Sequence, residues 1–149
     1  MDYNYETWKK DAHSQELWRK IFLIIKENIC TCRFKLIGYD GVSLGLSQWD
    51  YIFEPVECCI EYSGGPIAKW EVEWVEILTL FEVKLNKSKI DIVDRTIHLC
   101  TRLEEEGVHY KIVDGNIRIS TVPSQFTLCL SNDRSAQEKA MSNGQTDEK

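Results

Sequence analysis

Trp70-Glu71-Val72-Glu73-Trp74-Val75-Glu76-Ile77 alternates acids with large apolar residues, the period of two that a half-buried strand produces. Strict alternation fails toward its end: with Trp70, Val72 and Trp74 on the inner face, Glu76 falls among them while Val75 and Ile77 fall outside. A one-residue bulge at Trp74-Val75 repairs the pattern, turning Trp70, Val72, Trp74 and Ile77 inward and Glu71, Glu73 and Glu76 to water. The stretch therefore predicts a strand from Ile67 to about Val83, in a sheet with one apolar and one acidic face.

The acidity spreads outward from there. Leu36 to Glu82 carry nine carboxylates (Asp40, Asp50, Glu54, Glu57, Glu61, Glu71, Glu73, Glu76, Glu82) against one base, Lys69, so a local charge of -8 underlies the net -6 of the chain. Around it the signals alternate. Leu17, Ile21 and Ile25 form one stripe with Trp18, Phe22 and Ile29 beside it, which predicts an amphipathic helix capped by Ser14 and running to Ile29. Tyr3 to His13 has room for a further turn of helix. From Arg33 the period becomes two, with Phe34 and Leu36 opposite Lys35. Asp40-Gly41 marks a turn, Gly41 to Ser47 a loop, and Gln48 to Phe53 an extended piece closed by Pro55. Cys58 to Tyr62 reads as a strand, and Ser63-Gly64-Gly65-Pro66 turns the next one back antiparallel.

Downstream, Ser88 with Asp91 resembles a capping box. Ile90, Val93, Ile97, Cys100 and Leu103 then form the buried stripe of a helix that Gly107 ends. Val108 to Val113 and Asn116 to Thr121, joined by Asp114-Gly115, predict a tight hairpin with Tyr110, Ile112, Ile117 and Ile119 inside. Gln125 to Leu130 reads as a short edge strand, and the polar stretch from Ser131 to Lys149 as a disordered tail. The expected class is α+β: one domain over residues 1–123, a mainly antiparallel sheet with two helices packed on one face, and a mostly disordered stretch over 124–149. At 149 residues, 43% hydrophobic, such a domain needs no staples.

No apolar run reaches the ~20 residues of a membrane helix, and the start lacks a signal peptide's basic and apolar regions, so no membrane partner and a cytoplasmic location are expected. Six cysteines (Cys30, Cys32, Cys58, Cys59, Cys100, Cys129) then read as free thiols. Neither Cys30-Thr31-Cys32 nor Cys58-Cys59 has zinc-knuckle spacing, and neighbours on a strand point to opposite faces, so no metal and no cofactor are expected. No nucleophile motif or phosphate loop is present. His98 reads as a boundary residue of its helix, and His109 as pointing away from the core. Acidity disfavours nucleic acid as a ligand.

Trp18 opening a helix, Trp49-Asp50-Tyr51, an Ile-Glu-Tyr strand, Val72 to Ile77 and Glu106-Gly107-Val108-His109-Tyr110 together resemble a family of short bacterial proteins of unknown function, typified by Ile-Glu-Trp-Leu/Ile-x-Ile. The resemblance spans Trp18 to Ile119 and brings no activity with it. This chain has Val72 where Ile is usual and His109 where Pro often stands.

Three functions stay open. The first is an acidic binding protein, such as an immunity protein neutralising a basic bacterial toxin of the nuclease kind, with Glu61, Glu71, Glu73 and Glu76 as contacts and Trp49 as anchor. The second is a structural or regulatory dimerisation domain that uses a sheet edge as a homodimer. The third is an enzyme of unfamiliar type, with Glu71, Glu73, His109 or Cys59 converging in one pocket.

Overall fold

The computed structural model describes residues 3–38, 49–63 and 65–123. The loop expected at Gly41 to Ser47, the edge strand at Gln125 to Leu130 and the tail over 124–149 lie outside the described residues. The order is α1 (Tyr5–Trp8), α2 (Ala12–Asn28), β1 (Cys32–Leu36), β2 (Phe53–Val56), β3 (Cys59–Tyr62), β4 (Gly65–Ala68), a 3-10 turn (Lys69–Glu71), β5 (Val72–Ile77), β6 (Leu80–Asn86), β7 (Lys89–Asp94), α3 (Thr96–Glu105), β8 (Lys111–Val113) and β9 (Asn116–Ser120). The class is α+β, and every strand pairing among the described residues is antiparallel. Instead of one sheet the strands form three: β1-β5-β9-β8, β2-β3-β4, and the two-stranded ribbon β6-β7. No helix among the described residues is long and apolar enough to cross a membrane.

The helix α2 starts two residues before its expected cap. Asp11, not Ser14, is the cap: its carboxylate accepts the Ser14 backbone N–H at 3.0 Å, satisfying one of the donors that a helix start leaves open. At the far end Ile29 adopts a left-handed conformation (φ 53) and ends α2, which turns its side chain out of the expected stripe and into solvent. Trp18, Ile21, Ile24 and Ile25 of α2 join Leu99 and Leu103 of α3 in one core with Phe34, Val72, Val75, Ile77, Ile117 and Ile119.

The long strand expected from Ile67 to Val83 is broken. The 3-10 turn at Lys69–Glu71 moves the chain from the three-stranded sheet to the four-stranded one, and β5 stops at Ile77 before β6 begins. Pro55, expected to close an extended piece, lies inside β2, which is an edge strand with an irregular register between Phe53 and Val56. That is where a residue without a backbone N–H is tolerated.

The helix expected from Ser88 is the largest misreading. Lys89–Asp94 is β7, paired with β6 from Leu80↔Asp94 to Asn86↔Lys89, and α3 begins only at Thr96. Here Asp94 accepts the Thr96 N–H at 2.9 Å, and Gly107 (φ 73) turns the chain after the helix. By contrast the β8-β9 hairpin has the expected turn, with Asp114 (φ 51) and Gly115 (φ 82) in the paired positive torsions of a two-residue connection. But β8 starts at Lys111 rather than Val108, and Ile112, expected inside, is exposed on this edge strand.

Candidate interaction surfaces

The register irregularity of β5 lies at Glu73 rather than Trp74-Val75. Leu36 faces Val72 and Lys35 faces Trp74, so Glu73 is the extra residue of β5 in the β1-β5 register. Val75 and Ile77 consequently point into the core, and alternation turns Trp74 and Glu76 to the other side of the sheet. There the register lines up Arg33, Glu76, Arg118 and Lys111 across all four strands.

Glu76 is expected at the surface yet has no exposed area, because two guanidiniums close over it. Its Oε1 accepts Arg33 Nε at 2.7 Å, and its Oε2 accepts Arg118 Nε at 2.8 Å. The Arg33 guanidinium lies 4.4 Å from the Trp49 ring centre, and that of Arg118 lies 4.0 Å from the Trp74 ring centre. Beside this row, Lys35 Nζ donates to Glu73 Oε1 at 2.7 Å. Four bases thus meet two acids on a face that the sequence marks as acidic. A carboxylate enclosed between two arginines is a clamp on the register of β1, β5 and β9, not a free docking charge.

Of the five expected contact residues, Trp49 and Glu76 are brought together through Arg33, and Glu73 is engaged by Lys35. Glu61, on β3 of the other sheet, and Glu71, in the 3-10 turn, are exposed and stand apart from that row. Lys69, the lone base of the acidic stretch, is buried: its ammonium pairs with Glu54 and lies 5.3 Å from the Phe22 ring centre. Trp70 packs on Trp8 and Tyr5 at 5.8 Å and 5.1 Å, joining the 3-10 turn to α1.

Of the residues expected of an enzyme site, Glu71 lies within electrostatic reach of the Cys59 thiol. His109 lines a cavity of about 780 Å³ with His13, Lys10, Lys20 and the start of α2, but Glu71, Glu73 and Cys59 are not in its wall. His98 behaves as a boundary residue, with its Nε2 2.9 Å from Asn28 Oδ1.

The surface that the sequence did not reveal is the β6-β7 ribbon. Its foot is fixed: the Arg95 N–H donates to the Thr79 carbonyl at 2.8 Å, and the Arg95 guanidinium sits 4.9 Å from the Phe81 ring centre while donating to Asn28 Oδ1. Beyond that foot every residue from Glu82 to Asp94 is exposed. Leu80, Val83, Leu85, Ile90, Ile92 and Val93 are all open to water, the two isoleucines at 60%. Cross-strand pairing puts Leu80, Ile90 and Ile92 on one face and Val83 and Val93 on the other, so neither face is covered. Near the foot, Ile97 at 84% and Ile29 at 69% add further exposed apolar surface, held close by the bonds of Asn28 to Arg95 and His98. β-branched composition and alternation were the available signals, masked by helical spacing that runs on into α3.

No protein-family model matches the chain, nor does any curated protein or solved structure.

Proposed function

We propose that this protein is an assembly module that joins a second copy of itself by strand addition along the free edge of β6. The observation that carries the reading is the exposure of six large apolar side chains on a ribbon whose outer edges pair with no described strand. A two-stranded ribbon is marginal in water by itself, and an open apolar edge invites another strand.

Charge favours a second copy over an unrelated partner. Residues 80–94 hold three acids (Glu82, Asp91, Asp94) and three bases (Lys84, Lys87, Lys89), so the ribbon is neutral on a chain of net charge -6. Antiparallel pairing of β6 with itself about Val83 places Glu82 opposite the partner's Lys84 and Lys84 opposite the partner's Glu82, the self-complementary pattern of a two-fold interface. β7 suits this less well, since Asp91 and Asp94 stand there against Lys89 alone.

Sedimentation of the full chain over a concentration series should show a species of twice 17.4 kDa. Lys84→Glu or Glu82→Lys, each placing like charges opposite one another twice, should weaken it about tenfold, and the double swap should restore it. A monomer at every concentration, or a dimer indifferent to both single changes, overturns the reading.

A basic protein partner of the toxin kind is the second reading, supported by the exposed carboxylates of Glu57, Glu61 and Glu71. Charge reversal at Glu61 and Glu71 would then slow association at low salt. A reducing, cytoplasmic setting accords with the free thiols of Cys30, Cys32, Cys58, Cys59 and Cys100.

A further inference from the structure

Neighbouring residues on a strand point to opposite faces, which is why the sequence argues against joint action by Cys58 and Cys59. Their Sγ atoms nevertheless lie 3.6 Å apart. The reason is local: β3 begins at Cys59, so Cys58 belongs to the turn between Val56 and Cys59, which face each other across the β2-β3 pair. Turn torsions release Cys58 from strand alternation. The turn is held from behind, where the Cys58 carbonyl accepts the Lys69 N–H at 3.0 Å and the Lys69 side chain is buried against Glu54. Both thiols are half-buried and reachable.

The separation decides the chemistry. A disulfide needs sulfurs about 2.0 Å apart and Cα atoms at least about 4.4 Å apart, whereas neighbours across a trans peptide have Cα atoms only about 3.8 Å apart. Two sulfurs bonded at about 2.3 Å to one centre stand about 3.3 Å apart at the roughly 90° angle of a pyramidal centre and about 3.8 Å apart at the tetrahedral angle, a range that includes the 3.6 Å seen here. A structural zinc ion takes four such ligands, and no group of three or more His, Cys, Asp or Glu side chains among the described residues is placed to hold a metal. The fitting centre therefore asks only two sulfurs of the protein.

We propose that Cys58 and Cys59 form a dithiol site for a trivalent organoarsenical, R–As(OH)₂. Both As–O bonds break and two As–S bonds form. Each thiol proton leaves with one hydroxide, giving R–As(S-Cys58)(S-Cys59) and two waters, with arsenic trivalent throughout. The remaining substituent R completes its coordination. Burial, and then the adjacent Cys58 thiol, raise the Cys59 thiol above its ordinary range, so it meets the arsenical in its protonated form. Cys30 and Cys32 are enclosed in the core, so they do not compete.

The test is reduced full-length protein titrated with phenylarsonous acid, read by intact mass and by counting free thiols. One adduct should form with the loss of two thiols, and peptide mapping should place it on Cys58 and Cys59. Cys58→Ser and Cys59→Ser should each weaken binding on the order of 100-fold, since a single thiol loses the effective concentration of its neighbour. A small dithiol should strip the adduct where a monothiol does not, and Cys100→Ser should leave it unchanged. An adduct mapped to other cysteines, or equal affinity in wild type and both serine variants, overturns the site.

Discussion

At Glu76 a carboxylate with no exposed area faces two guanidiniums, so the substitution Glu76→Gln leaves Arg33 and Arg118 partly buried without their counter-charge. Removing one partner from a buried ion pair costs about 3 kcal/mol or more, and urea denaturation should show a loss of that size with an unchanged slope. A loss below about 1 kcal/mol would mean that water replaces the clamp. The sequence shows the acid but not its partners, which come from β1 and β9, distant in the chain and adjacent only once the sheet has formed. Cys30 gives a second residue-scale expectation, set by pH. Burial pushes its thiol from the ordinary 9.0 up to about 12. The folded protein keeps this proton where the unfolded chain has lost it, so the contribution is complete below pH 9.0 and disappears as pH rises through about 12. Burial likewise pushes the Tyr3 hydroxyl from 10.0 to about 12, with the same sign. Stability should fall above pH 9.0 by about 1.4 kcal/mol per pH unit for each proton, and Cys30→Ala should flatten the onset. An unchanged alkaline limb in that variant would remove Cys30 from the account.

Elements were legible where local chemistry and tertiary pairing agree. Asp114-Gly115 between two alternating runs leaves one low-energy solution, and the β8-β9 hairpin follows it. β7 was not legible because Ile90, Val93, Ile97, Cys100 and Leu103 keep helical spacing straight across the boundary at Arg95, and periodicity cannot see that the first two belong to a strand. The better witnesses were the β-branched Val83, Ile90, Ile92 and Val93 on either side of a polar Asn86-Lys87-Ser88 turn. The end of α2 hides for a related reason: nothing in Asn28-Ile29-Cys30 announces a left-handed residue, a position glycine usually fills. Ile29 holds φ 53 with a side chain 69% exposed, so its strain is offset by little burial. Ile29→Gly should therefore stabilise the protein by about 1 kcal/mol in thermal or urea unfolding. A loss of stability instead would show that the exposed isoleucine makes contacts that outweigh its torsional cost.

For the whole molecule, the α+β class with antiparallel pairing was readable from local patterns, but the distribution of strands over three sheets was not. That distribution depends on the 3-10 turn at Lys69–Glu71 and on which chain-distant strand meets β5. Net charge misled in the same way, since summing over a stretch of sequence ignores bases that the fold delivers from elsewhere. The distinction matters for how the molecule associates, because the two proposed contacts respond oppositely to salt. Two copies each bearing -6 repel through their bodies, while the ribbons that would join them are neutral and apolar. Raising ionic strength from roughly 0.05 M to 0.5 M shortens the Debye length from about 14 Å to about 4 Å, screening the bodies and leaving apolar burial in place. The dimer dissociation constant should then stay within about threefold or tighten, the exposed Glu82–Lys84 pairs contributing too little to reverse it. A complex steered by Glu57, Glu61 and Glu71 toward a basic protein would lose affinity over the same range. If self-association weakens tenfold with salt, charge rather than the apolar ribbon holds the two copies together, and strand addition along β6 is the wrong geometry.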